Sequence, residues 1–143
     1  MAKEINMTRQ QKFPDHEHFT YYNANPHNRI TTDCVIRALS IALNIPYNQV
    51  VMDMAELQCK TGFDPSTPAT YTKYLEQHGW KKYPQLKHQD GTKYTVKEFV
   101  DTHPTGTYML NLAGHTTTLK DGKILDIWDC YKLGRCVGNY YTR

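Results

Sequence analysis

Thr31-Thr32-Asp33-Cys34-Val35-Ile36-Arg37-Ala38-Leu39-Ser40-Ile41-Ala42-Leu43 is the stretch on which the fold turns. The short oxygen-bearing side chains of Thr32 and Asp33 suit a helix N-cap, because they accept backbone N–H groups that a first turn leaves without partners. Apolar residues then lie almost all round a helical wheel. The segment therefore predicts a buried central helix over about Asp33 to Leu43. Asn44-Ile45-Pro46 ends it, since proline disfavours helical backbone in the residue before it. Cys34 thus stands at the opening of a buried helix.

Upstream, Asn23 to Thr32 is rich in Asn and Pro and reads as an irregular loop. His18 to Tyr22 alternates weakly, as a short edge strand would. Residues 1–17 are polar and read as a loose N-terminal arm, leaving 18–143 as a single domain. Downstream, a helix is expected from about Tyr47 to Thr61. It carries Val50, Val51, Met54 and Leu57 near one face and stops at Gly62. Another runs from about Pro68 to His78 and ends at Gly79. A short one, about Val96 to Thr102, is capped by Thr95.

From Gly106 the pattern changes to period two. Thr107 to Leu112 reads as a strand, and His115–Lys120 and Lys123–Trp128 as a hairpin around Asp121-Gly122. Cys136 to Tyr141 suggests a last strand. Helices first and antiparallel strands afterwards give the α+β class.

Composition excludes several functions. The 143 residues carry a net charge of +3 from 17 basic and 14 acidic side chains, too even a balance to argue for nucleic acid. The densest basic stretch, Lys81-Lys82 to Lys87-His88, reads as a solvated surface loop. No window is apolar enough to span a membrane, and Met1 to Asn6 lacks the apolar core of a secretory signal. Cysteines 34, 59, 130 and 136 show no framework spacing, which points to free thiols in a reducing cytoplasm. Asp15-His16-Glu17-His18 with Cys130 and Cys136 offers potential zinc ligands. No C-x-x-C pair accompanies them, so no metal or organic cofactor is expected.

The remaining chemistry is that of a thiol. A cysteine attacks as thiolate, favoured by the positive end of a helix dipole and by an adjacent imidazolium. His115 is the candidate base. It follows Gly114, which leaves room for a substrate backbone. With Asp121 and Gly122 as turn residues, Thr117 faces Asp126 and His115 faces Trp128 across the hairpin. Asp126 is then diagonal to His115 and can orient its ring. A bulge would bring Asp129 there instead. Arg37, one turn after Cys34, needs a partner such as Asp33 or a buried carboxylate, or holds an anionic substrate group.

Cys34, Gly114-His115 and Asp126-Ile127-Trp128 together resemble the papain-like cysteine peptidases. In that superfamily a central helix begins at the Cys and packs on an antiparallel sheet carrying His and then Asn or Asp. A Trp two positions beyond the third residue covers the pair. Asp33-Cys34-x-x-Arg37-Ala38, Gly114-His115 and Asp121-Gly122-x-x-x-Asp126 resemble small papain-like proteins of bacteria and their phages. The resemblance implies a cytoplasmic thiol hydrolase. It would cleave peptide or isopeptide bonds of a peptide or protein substrate through Cys34, His115 and Asp126. It also implies a side-chain amide six positions ahead of the Cys that donates to the oxyanion. Asn28 stands there, with Asn25 or Thr32 as substitutes. Two other functions share the fold: a non-catalytic binding module engaging a host or partner protein, and an acyltransferase or amidase using the same triad.

Overall fold

The computed structural model describes residues 7–143. In chain order the elements are α1 (Arg9–Lys12), β1 (Phe19–Tyr21), α2 (Cys34–Leu43), α3 (Tyr47–Thr61), α4 (Pro68–Gln77) and β2 (Lys81–Tyr83). They continue with α5 (Val96–Thr102), β3 (Thr107–Leu112), β4 (His115–Lys120), β5 (Lys123–Asp126) and β6 (Tyr140–Thr142). The strands form one six-stranded sheet in the order β1-β5-β4-β3-β6-β2. The class is α+β, and the sheet is mixed. Every pairing is antiparallel except that of β1 with β5.

α2 begins at Cys34 and ends where Asn44 turns left-handed, with φ 54°. Thr118 of β4 donates its hydroxyl to the Ala38 carbonyl at 2.8 Å and ties α2 to the sheet. Val35, Ala38 and Leu39 pack with Val50, Met54 and Leu57 of α3, Leu75 of α4, and Met109 and Tyr141 of the sheet. A second cluster joins Val96, Phe99 and Val100 of α5 to Phe19, Leu110, Leu119 and Ile124. Met109 pairs with Thr118 and Leu110 with Thr117, and successive strand residues point to opposite faces. The sheet therefore has α2 and its neighbours on one face and α5 on the other.

Several expectations are corrected. Residues 7–17, part of the expected loose arm, carry defined contacts. Thr8 closes a capping box on α1, Arg9 Nε donates to the Ile127 carbonyl at 2.6 Å, and His16 pairs with Asp129. Residues 1–6 of the expected arm lie outside the described residues. Lys81–Tyr83, expected in a surface loop, pairs with β6 as an edge strand. The hairpin register holds from Lys120 opposite Lys123 to Thr118 opposite Leu125, but β5 stops at Asp126 rather than Trp128. The last strand is Tyr140–Thr142, and Cys136 only bridges to Thr95. Val51, at 41% exposure, falls off the buried face of α3 that Val50, Met54 and Leu57 define. Asp33 takes the N-cap position of α2 but makes no capping hydrogen bond, because its carboxylate is used elsewhere.

Candidate active site

β4 begins at His115 and β5, antiparallel to it, ends at Asp126. The two residues therefore share one rim of the sheet, where the N-terminus of α2 presents Cys34. His115 Nε2 meets Asp126 Oδ2 at 2.6 Å. The other ring nitrogen is left for the thiol, and Cys34 and His115 line one cleft. Trp128 stands edge-on to the imidazole, with ring centroids 4.9 Å apart and planes at 85°. Asp129 is not the orienting carboxylate. Its Oδ2 meets His16 Nε2 at 2.7 Å, and its Oδ1 accepts the Tyr131 backbone N–H.

Behind the imidazole lies a buried network of alternating charge. Arg37, 4% exposed, donates from Nη1 to Asp126 Oδ1 and from Nε to Asp33 Oδ1, each at 2.8 Å. Asp126, 1% exposed, also accepts the Ile127 backbone N–H at 2.7 Å. Asp33 Oδ2 accepts the Tyr47 hydroxyl at 2.6 Å and the Asn25 amide at 3.2 Å. A lone charge in such a place would be costly, and each is offset by an opposite neighbour with directed hydrogen bonds. Arg37 is thus paired with both partners expected for it and fixes Asp126 from the side opposite His115.

This network sets the protonation states. Burial alone would lower the His115 pKa, but the hydrogen bond and charge of Asp126, with hydrogen bonding to Cys34, raise it to about 9. Burial would raise that of Cys34. Hydrogen bonds from His115 and the Thr116 backbone, with the charges of His115 and Arg37, outweigh burial and hold the thiol below its ordinary value. Asp126 is likewise held below the carboxylate range despite burial, by His115 and Arg37. These directions favour thiolate and imidazolium together. Cys130 behaves oppositely. Burial, with Asp126 and Asp129 nearby, pushes its thiol up.

Cys34 and His115 open onto a cleft of about 430 Å³, also lined by Ser66, Tyr71, Asn111 and Gly114. Gly114, at φ 69°, has nothing within 4 Å of the position its Cβ would take, so the approach past His115 stays open. Cys34 is the first residue of α2, and its backbone N–H has no acceptor within the helix.

Asn28 is not brought to this cleft. It sits in an exposed loop at φ 52°, where its backbone N–H donates to the Asn25 carbonyl at 2.9 Å and its side chain accepts from Asn23 at 3.4 Å. The left-handed turn of the loop carries the side chain elsewhere. Of its substitutes, Asn25 is held by Asp33, and Thr32 is exposed and absent from the cleft wall. Polar side chains that do reach it include Ser66, Tyr71 and Asn111, none of them a candidate from sequence. Asn111 is a polar residue inside the apolar run Met109 to Leu112, and that was the available signal.

Among the described residues, no group of three or more His, Cys, Asp or Glu side chains is placed to hold a metal ion. In the Asp15–His18 run, Asp15 accepts the Tyr21 N–H and His18 Nδ1 donates to the Gly122 carbonyl. All four cysteines are free. Among the described residues, no helix is long and apolar enough to cross a membrane. Comparison of the chain with protein-family models, with curated proteins and with solved structures returns no match.

Proposed function

We propose that the protein is a thiol hydrolase of papain-like type, a cysteine peptidase acting on peptide or isopeptide amide bonds in the cytoplasm. The observation that carries this reading is the His115–Asp126 pair, at 2.6 Å, on the wall of the same cleft as Cys34 at the start of α2. A His–Asp pair poised on a cysteine at a helix start activates a nucleophile.

The Cys34 thiolate attacks the carbonyl carbon, forming a C–S bond as the carbonyl π electrons move to oxygen. The orphan Cys34 N–H supports that oxyanion. Collapse breaks the C–N bond while the His115 imidazolium gives its proton to the leaving nitrogen. Water then attacks the thioester as neutral His115 takes its proton. Loss of the thiolate releases the acid and restores the ion pair. Asp126 holds the ring in register throughout, and Arg37 is a positioning residue that acts through Asp126.

Screening a peptide library against the wild type and Cys34→Ala side by side tests the reading. Cleavage by the wild type that the variant lacks, with the variant still folded, is the expected result. Equal turnover by both proteins would refute it. A chain that is folded, unreactive towards thiol probes at Cys34 and inactive on every amide would instead be a binding module. Product acylated on an added amine rather than hydrolysed would move the activity to acyl transfer.

A further inference from the structure

A second depression adjoins the Cys34 cleft. It encloses about 360 Å³ and shares Asn111 and Leu112 with that cleft. Its rim carries Lys93 and Arg135, both exposed. Among the described residues neither cation belongs to an ion pair. Arg135 is also positioned. Its guanidinium lies 5.4 Å from the centroid of the Trp128 ring, and Trp128 in turn stands against His115. A guanidinium laid on an aromatic face keeps its in-plane N–H fork free for a carboxylate.

Two further observations shape the depression for a peptide. Asn111 Oδ1 is buried and has no hydrogen-bond partner, although its residue lines both hollows. A buried acceptor left unpaired is costly, and turning the Asn111 amide into the hollow, where a substrate amide N–H meets it, removes that cost. Gly138 forms part of the floor and donates its N–H to the Asn111 carbonyl at 2.7 Å. A Cβ at Gly138 would come within 3.3 Å of that oxygen, so a side chain there would push the Asn111 backbone away by a few tenths of an ångström.

We propose that this depression is a carboxylate subsite of the Cys34 cleft, in which Arg135 and Lys93 hold an acidic side chain or a terminal carboxylate on the leaving-group side of the substrate. The inference rests on the reading of Cys34 as the nucleophile. The side follows from the proton path. His115 protonates the departing nitrogen, so the leaving group passes over the imidazole. Trp128 and then Arg135 lie beyond it.

Three chloroacetyl peptides test the subsite on the full chain: chloroacetyl-Gly-Glu amide, chloroacetyl-Gly-Gln amide, and chloroacetyl-Gly-Gln with a free terminal carboxylate. In each the thiolate displaces chloride and forms a C–S bond, and mass spectrometry reads the adduct at Cys34. Rates are divided by the iodoacetamide rate at Cys34 of the same protein. At least one carboxylate probe should react about fivefold faster than the neutral one, the effect of roughly 1 kcal/mol from an exposed charge pair. Acceleration by Glu assigns an acidic side chain, and acceleration by the free terminus assigns a chain end. The advantage should vanish in Lys93→Ala/Arg135→Ala and turn against the acid in Arg135→Glu.

Equal rates for all three probes, with iodoacetamide still selective for Cys34, would overturn the subsite alone. An acid preference that survives the double variant would overturn it too. Iodoacetamide labelling without preference among the four cysteines would instead remove the nucleophile, and the subsite with it.

Discussion

Among the described residues there are two His–Asp pairs, built from the same two residue types. His115 meets Asp126 at 2.6 Å, and His16 meets Asp129 at 2.7 Å, each through Nε2 and Oδ2. Their surroundings separate them. The far nitrogen of His16 accepts the His18 backbone N–H, and its ring packs against Phe19 and Tyr131. That pair pins the N-terminal segment to the loop after β5. His115 shares a cleft with the Cys34 thiol, and its carboxylate is held by a buried arginine. A His–Asp hydrogen bond is therefore not a site in itself. The thiol on the same cleft and the charge behind the carboxylate distinguish the candidate site from the pair at His16.

The largest expected effect comes from removing that charge. Arg37→Met leaves two carboxylates without their cation and should cost about 3–5 kcal/mol in urea unfolding. His16→Ala breaks only a partly exposed pair and some ring contacts, and should cost about 1–2 kcal/mol. Similar losses in the two variants would erase the distinction. Next comes thiol activation. At pH 6, His115→Ala should slow iodoacetamide alkylation of Cys34 at least about tenfold, since each pKa unit regained by the thiol removes a factor of ten in thiolate. His16→Ala should change that rate less than about twofold.

A smaller effect separates the carboxylates. Asp126→Asn keeps an acceptor for the ring but removes the charge that raises His115. An NMR titration should find the His115 pKa lowered from about 9 by about one unit or more, whereas Asp129→Asn should leave it in place. For the proposed hydrolase, the same elevation sets the alkaline limit of turnover. On the proposed reading His115 must carry a proton to give to the leaving group, so kcat/KM, which reports the free protein, should hold through neutral pH and fall as pH rises through about 9. In Asp126→Asn that limb should move to lower pH. A limb unchanged by the substitution would argue against Asp126 as the orienting group.

Much of this arrangement was legible from local signals. The Cys34 helix is bounded by Asp33 and Asn44, and the Asp121-Gly122 turn set the register that brings His115 and Asp126 together. Alternation selected Asp126 over Asp129, and Arg37 was expected to need a buried carboxylate. The parts that were missed depend on long-range packing. Lys81–Tyr83 becomes a strand only because β6, far along the chain, offers it an edge. The parallel pairing of β1 with β5 has no signature in either segment. Asn28 was placed by its spacing from Cys34, but spacing through an irregular loop does not fix direction. Asn111 reaches the cleft through the packing of β3, and no count from Cys34 would have found it.

The most direct test exploits the other thiols as internal standards. Cys59 and Cys136 are exposed, whereas Cys34 is half-buried. Accessibility alone would make Cys34 slower than either, and only a stabilised thiolate reverses that order. Wild-type protein alkylated at pH 6 with limiting iodoacetamide, quantified site by site, should carry the label first and predominantly on Cys34. Labelling led by Cys59 and Cys136, with Cys34 trailing as its burial dictates, would contradict the account.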